Sequence, residues 1–215
     1  MSALHRASFV IALLCIAGCG GRTEGPTAEQ REAAYRANNR GVAMLEQFAY
    51  DRAVDAFQQA LTADPMLRLA RINLPVALFY AGRTEDARTR AEAARMAYPD
   101  APQPVYMLGL IARVNNQPDA AAAAFTQVLQ IDPQDVGALV SLALVYVQQR
   151  RYREAADLCE RALAIEPYNA TAAYNLGLAL TRAGDTQGGA RATGRFEQLR
   201  SAGYAITYSQ TYLEQ

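Results

Sequence analysis

Four prolines, Pro65, Pro99, Pro133 and Pro167, recur at a fixed interval of 34 residues. Each one ends an alanine-rich segment that carries apolar side chains at helical spacing. Proline ends helices because it has no backbone N–H to donate and its ring clashes with the preceding turn. A fixed interval of this size therefore predicts a repeated helical unit whose copies stack along the chain.

Two sets of segments keep this register. The segments before the prolines are predicted to be second helices of hairpins: RAVDAFQQALTADP (52–65), EDARTRAEAARMAYP (85–99), AAAAFTQVLQIDP (121–133) and EAADLCERALAIEP (154–167). The first helices align as NRGVAM (39–44), NLPVAL (73–78), MLGLIA (107–112), SLALVY (141–146) and NLGLAL (175–180). One hairpin cannot bury its apolar face alone, but stacked hairpins bury a continuous one.

Small residues recur where two helices are expected to approach closely. The first helices carry Gly41, Gly109, Ala143 and Gly177 at one register position, and the second helices carry Ala53, Ala87, Ala121 and Ala155. Phe57 and Phe125 are predicted to fill the space between repeats, and Cys159 stands in the same position as a buried small hydrophobe. Pro75 replaces the small residue of the second unit, at a cost of about 3 kcal/mol in an ordinary helix interior.

This pattern resembles the tetratricopeptide repeat, a helix-turn-helix unit of 34 residues. The resemblance covers about residues 27–200 and implies an all-α fold, a right-handed superhelical solenoid of antiparallel helix pairs. We expect the array to occupy residues 27–203, with about five repeats. Their expected ranges are 34–67, 68–101, 102–135, 136–169 and a degenerate capping repeat at 170–203.

The ends of the array carry their own signals. Thr27 and Gln30 have the spacing of a capping box that starts the first helix. The last helix contains Gly188, Gly189 and Gly194, which predicts a weakened capping helix packed through Phe196 and Leu199. The tyrosine-rich tail at 204–215 is interpreted either as a segment that folds back on the array or as a free end.

The N-terminus has the pattern of an export signal. Arg6 precedes the short apolar stretch Phe9–Ala17, which is too short to span a bilayer. The tetrapeptide Ile16–Cys19 resembles the bacterial lipobox, with isoleucine where leucine is commoner. This resemblance implies a cleaved lipoprotein signal peptide at 1–18, an acylated Cys19, and a lipidated N-terminus with a short tether at 19–26.

The remaining composition favours a binding protein over an enzyme. The single histidine, His5, lies in the predicted signal, so the predicted mature chain lacks the commonest general base and metal ligand. No nucleophile–base arrangement, phosphate loop or metal-ligand spacing occurs, so we expect no catalytic activity, metal or cofactor and no small-molecule substrate. The 21 basic residues, all arginine, balance 21 acidic residues, which argues against nucleic-acid binding.

The resemblance also implies where a partner binds. First helices of this family line the concave face, and we expect a protein or peptide ligand there, held by mainly apolar side chains. The predicted face consists of Asn38, Val42, Leu45, Ile72, Val76, Phe79, Tyr106, Leu110, Arg113, Val140, Leu144, Val147, Tyr174 and Leu178. Chaperone-binding relatives clamp a terminal carboxylate with lysines. The lysines at the matching positions are absent here, although Asn38 and Asn73 are present.

Together these features predict an adaptor anchored in a bacterial cell envelope. Three acyl chains on Cys19 would bind a membrane almost irreversibly. Gly20 follows the predicted lipidated cysteine in place of an aspartate, which in the family rule implies an outer membrane and a domain that faces the periplasm. The alternatives are a self-associating spacer, an accessory domain of a larger secreted protein, or a groove already filled by the tail or the capping helix.

Overall fold

A computed structural model of the chain describes residues 25–202, and within this range all regular secondary structure is α-helical. Ten helices follow one another as five pairs, which we number as repeats one to five. The helices are α1 Ala28–Glu46, α2 Tyr50–Ala63, α3 Arg68–Tyr80, α4 Thr84–Ala97, α5 Pro102–Val114, α6 Pro118–Ile131, α7 Val136–Gln148, α8 Tyr152–Ile165, α9 Ala170–Ala183 and α10 Thr186–Ser201.

The helices stack in chain order. Every helix packs against the one before it and the one after it, and first helices also contact each other across repeats, as α1 with α3, α3 with α5, and α7 with α9. The predicted all-α solenoid of helix pairs is therefore confirmed. The first helix, α1, begins at Ala28, directly after its N-cap Thr27.

Close helix contacts in two repeats depend on a glycine that faces a phenylalanine. A Cβ atom on Gly41 would lie 2.5 Å from Cε1 of Phe57, and one on Gly109 would lie 2.6 Å from Cε1 of Phe125. Both phenylalanine side chains are fully buried. The glycines therefore make room for rings that fill the space within the stack, as the sequence predicts.

The turn between the two helices of each repeat has one backbone design. One residue in left-handed conformation follows each first helix, and these residues recur at the repeat interval as Phe48, Gly82, Asn116, Arg150 and Gly184. The next residue donates its N–H to a carbonyl five positions earlier, as Asp185 does to Leu180 at 3.0 Å. This is the Schellman arrangement, which favours glycine because a side chain is strained at positive φ.

The N-terminal end of the helical array is formed as predicted. The Thr27 hydroxyl accepts the Gln30 N–H at 3.2 Å, and the Thr27 N–H donates to Oε1 of Gln30 at 2.7 Å, which confirms the capping box. At the other end, Leu199 is buried and Phe196 packs against it and against the Tyr174 ring. The predicted signal, Cys19 and the tail at 204–215 lie outside the described residues.

None of the helices within residues 25–202 combines the length and the apolar character needed to cross a bilayer.

Candidate functional site

One concavity of the described chain is a groove of about 760 Å³. Its walls come from α1, α3, the start of α5, the turn between α6 and α7, and the end of α8. The groove is lined by Asn38, Asn39, Val42, Leu45, Glu46, Arg68, Leu69, Ile72, Asn73, Val76, Pro102, Gln103, Asp132, Gln134, Asp135, Val136, Gly137, Ile165 and Glu166.

Aliphatic side chains form part of the groove surface on opposite walls. Leu45 and Ile72 are buried between helices and present only a small area, whereas Leu69 on α3 is 47% exposed and Ile165 at the end of α8 is 41% exposed. Exposed aliphatic side chains inside a concavity gain free energy when a ligand covers them, about 25 cal/mol for each Å² removed from water. The groove can therefore hold apolar side chains.

Amide side chains lie beside this aliphatic surface. Asn38 is buried, and its Oδ1 accepts a hydrogen bond from Nδ2 of Asn73 at 3.2 Å. This hydrogen bond links α1 to α3. Asn39 adds a third amide, and Gln103 and Gln134 stand on the facing walls. Amides both donate and accept hydrogen bonds, so they match the alternating N–H and C=O groups of a peptide backbone.

The charges of the groove are mostly negative. Glu46, Asp132, Asp135 and Glu166 line it, and Arg68 is the one basic residue among its lining side chains. Arg68 donates to Oδ2 of Asp100 at 2.9 Å and lies over the Tyr98 ring at 5.0 Å from its centre. The hydrogen bond from Arg68 lowers the pKa of the Asp100 carboxyl. The one groove cation is thus already paired outside the groove.

Three of the four groove carboxylates also accept hydrogen bonds from nearby residues. Oδ1 of Asp132 accepts the Gln134 N–H at 2.9 Å, and Oδ1 of Asp135 caps α7 through the Ala138 N–H at 2.7 Å. Oε2 of Glu166 accepts Nδ2 of Asn169 at 2.9 Å. These hydrogen bonds fix the carboxylates in position.

Five of the fourteen predicted partner-binding residues line the groove: Asn38, Val42, Leu45, Ile72 and Val76. Three others are buried between helices: Tyr106, Leu110 and Val140. Four are half-buried outside the groove: Phe79, Leu144, Val147 and Leu178. Arg113 and Tyr174 are exposed outside it. The predicted residues therefore do not form one continuous exposed apolar strip, because neighbouring first helices cover several of them.

Tyr106 shows how a predicted surface residue becomes part of the core. Its hydroxyl lies 3.1 Å from Oγ of Ser141 on α7, and its ring packs against Phe125 at 5.4 Å. Burial raises the pKa of the Tyr106 hydroxyl to about 12. This side chain joins repeat three to repeat four and is not available to a ligand.

Sequence reasoning missed the far wall of the groove. Asp132, Gln134, Ile165 and Glu166 lie at the ends of second helices and in the turns that follow them, outside the first helices on which the prediction relied. The superhelical turn of the array brings these residues to face α1 and α3. The only sequence signal was their common place, next to the helix-ending prolines Pro133 and Pro167.

The described residues offer no obvious centre for metal binding. Within 25–202, no three side chains from histidine, cysteine, aspartate and glutamate are grouped as metal ligands. Cys159 is fully buried, and burial raises the pKa of its thiol to about 12, so it stays protonated at neutral pH. A protonated, inaccessible thiol is a poor nucleophile.

Comparison with known proteins fits this architecture. The family model for the tetratricopeptide repeat matches residues 76–136 and 140–196, and a second model of the same repeat matches 115–159. These matches cover more than half of the chain, which therefore belongs to the tetratricopeptide repeat family. Repeats of this family form protein-interaction scaffolds, and this chain has that architecture.

Individual relatives are more distant. The chain is 31% identical over 137 residues to the Protein CTR9 homolog of Arabidopsis thaliana, and the match spans 62% of this chain and 13% of that protein. Among solved structures, Pseudomonas aeruginosa pilF superposes with a TM-score of 0.72 at 17% identity, covering 79% of this chain and 78% of its own.

Two further structures carry the same fold. MamA from Desulfovibrio magneticus RS-1 has a TM-score of 0.67 at 17% identity, with 80% of this chain and 97% of that chain covered. YrrB, described as a TPR protein with an unusual peptide-binding site, has a TM-score of 0.61 at 18% identity, with 80% and 89% covered. At these identities the likeness shows the fold alone.

Proposed function

We propose that this chain is a lipid-anchored adaptor of a bacterial cell envelope that binds a protein or peptide segment in the groove. The observation that supports binding is the groove itself, which combines exposed aliphatic side chains, Leu69 and Ile165, with backbone-matching amides such as Asn73. The similar structure YrrB is described as having an unusual peptide-binding site.

The anchor is supported by the sequence alone. Ile16–Cys19 resembles a lipobox after a short apolar stretch, and Gly20 in place of aspartate favours the outer membrane with the array facing the periplasm. The tether at 20–27 is short, with a root-mean-square reach of about 15 to 17 Å if it is flexible. An anchored groove would therefore work close to the membrane surface.

Site-specific crosslinking tests the binding role. A photoreactive amino acid replaces Leu69, which is exposed in the groove, and in a matched variant it replaces Met96, which is 79% exposed on α4 outside the groove. We expect one defined protein to be captured in intact cells from position 69 and not from position 96. Equal capture at both positions, or capture only of copies of this chain, would contradict the adaptor and favour the spacer.

Mass spectrometry of the protein from membranes tests the anchor separately. We expect the mature chain to begin at Cys19 and to carry a diacylglyceryl thioether with an acylated amine. Cys19→Ser removes the sulfur that accepts the lipid and should move the protein out of the membrane fraction. An unmodified Cys19 in wild-type membranes would rule out lipidation and leave the groove proposal unaffected.

A further inference from the structure

We infer that an aromatic platform at the turn edge of repeats one and two binds a proline-rich segment of a partner protein. The platform consists of Phe48, Tyr50 and Tyr80, and none of these residues lines the groove. The inference goes beyond the proposed function, because it adds a second binding surface of different chemistry to the array.

Phe48 is unfavourable for the fold in two respects. Its side chain is 61% exposed, and its backbone φ is 58°, in the left-handed region. At the same place in repeats two and five the turn has Gly82 and Gly184, which adopt a positive φ without strain. A residue that strains the backbone and gains little from burial points to a role outside folding.

Three neighbouring rings from two repeats form the platform. The Phe48 ring stands at 84° to the Tyr50 ring, with ring centres 6.3 Å apart, and the Tyr50 ring stacks on the Tyr80 ring at 5.4 Å. Phe79, which packs against the core, contacts the Tyr80 ring at 5.4 Å and holds it in place. The perpendicular rings of Phe48 and Tyr50 therefore bound a corner with aromatic sides, which the stacked pair extends into repeat two.

The platform also offers hydrogen-bond donors that the fold leaves unused. No hydrogen bond within residues 25–202 engages the hydroxyl of Tyr50 or Tyr80, and neither oxygen is buried. Burial of the ring raises the pKa of the Tyr80 hydroxyl, and the nearby positive charge of Arg113 partly offsets this rise. Arg113 is exposed and forms no ion pair within the same range. Aromatic rings and available donors thus lie side by side.

A proline-rich segment matches both features. It adopts the polyproline II helix, which has no internal hydrogen bonds, so its carbonyl groups are free to accept. Aromatic-lined surfaces are a recurring means of binding such segments. An α-helical ligand uses its own backbone carbonyls internally and offers the tyrosine hydroxyls only side-chain acceptors. The tail at 204–215 contains no proline, so the matching segment belongs to another chain.

Binding of three synthetic peptides to the full-length protein tests the inference. The probes are fluorescein-labelled peptides with blocked ends: a polyproline peptide of about ten residues, a glycine–serine peptide of the same length, and an amphipathic helical peptide of leucine, alanine and glutamine. Binding is read by fluorescence anisotropy. We expect the polyproline peptide to bind at least about tenfold more tightly than the other two, since its conformation is preorganised. Equal or tighter binding of either other peptide would overturn the inference.

Two matched glycine variants assign the binding to the platform. Phe48→Gly removes the exposed ring, and Arg150→Gly makes the same backbone change in repeat four, where φ is 63°. Glycine suits both positions, so we expect neither variant to lower the melting temperature. Phe48→Gly should weaken the polyproline peptide at least about tenfold, and Arg150→Gly should leave its affinity unchanged. Unchanged binding by Phe48→Gly, or equal weakening by both variants, would show that the platform is not the site.

A groove variant separates this inference from the proposed function. Leu69→Arg changes an exposed side chain of the groove and should leave the affinity for the polyproline peptide unchanged. If Leu69→Arg abolishes binding and Phe48→Gly does not, the peptide occupies the groove, and the inference is wrong while the proposed function stands. If the polyproline peptide does not bind at all, the inference is also wrong, and the crosslinking experiment at position 69 decides the proposed function independently.

Discussion

In each repeat the two helices approach each other at one register position. Repeats one and three fill this contact with different residues from the other repeats. In repeats one and three a glycine faces a phenylalanine, Gly41 with Phe57 and Gly109 with Phe125. By the same register, repeat two has Pro75 with Ala91, and repeat four has Ala143 with Cys159. Where the first helix carries a larger residue, the second helix carries a smaller one.

The last repeat shows a third solution. A Cβ on Gly177 would lie 2.6 Å from Oγ1 of Thr193, and one on Gly189 would lie 2.2 Å from Oγ1 of Thr181 and 3.1 Å from the Gly177 carbonyl oxygen. The two helices thus approach through glycine backbone on both sides. The repeat thus fixes the volume between its two helices, and the two facing residues fill that volume together.

The largest expected effect comes from emptying that space. Phe125→Ala leaves Gly109 facing a cavity, and we expect it to lower the free energy of unfolding by about 3 to 5 kcal/mol, measured by urea denaturation. Phe57→Ala should cost a similar amount in repeat one. A loss below about 1 kcal/mol for both variants would show that the rings do not fill a closely packed gap.

A smaller loss is expected when the gap is overfilled. Gly109→Ala places a methyl group against Phe125, and we expect about 1 to 3 kcal/mol of destabilisation. Adding Phe125→Cys copies the Ala143 and Cys159 pair of repeat four. In a double-mutant cycle the two changes should cost less together than the sum of the single changes. Additive costs would contradict the idea that the two positions share one volume.

Pro75 offers a substitution that should stabilise the protein, in contrast to the two preceding changes. It is fully buried inside α3, whose helix continues on both sides, and it offers no N–H to the Arg71 carbonyl. Pro75→Ala restores that donor, which is a gain of about 3 kcal/mol in helix propensity. It also removes roughly two buried methylene groups, each of which contributes about 0.8 kcal/mol. We therefore expect a net stabilisation of about 1 kcal/mol by urea denaturation. Destabilisation would mean that burial of the proline ring stabilises the protein more than the small facing residue, Ala91, suggests.

The sequence predicted the two kinds of position separately, a small residue at the close helix contact and a phenylalanine that fills space between repeats, because both lie in the repeat register. Gly109 and Phe125 occupy fixed places in a unit whose length the prolines define, so local reasoning was enough. The groove was only half predictable, since Ile72 lies on a first helix but Asp132 and Ile165 reach the groove through the superhelical turn of several repeats. That turn depends on the packing of every interface, which the interval of 34 residues does not specify.

For the glycines of α10, too, the sequence alone does not specify the packing. Substitution of these glycines gives the smallest expected effect. Sequence reasoning treated all of them as helix-weakening, but Gly189 lies against α9, whereas a Cβ on the exposed Gly194 would meet no atom within 4 Å.

Gly194→Ala should therefore stabilise the protein by about 0.5 to 1 kcal/mol, because alanine loses less backbone entropy in a helix. Gly189→Ala, the same change five positions away, should destabilise it, since the two helices would have to separate. Thermal denaturation of the two variants side by side measures the difference. An equal gain from both would mean that α10 is held by propensity alone, and that the close glycine contact between α9 and α10 contributes nothing to the end of the array.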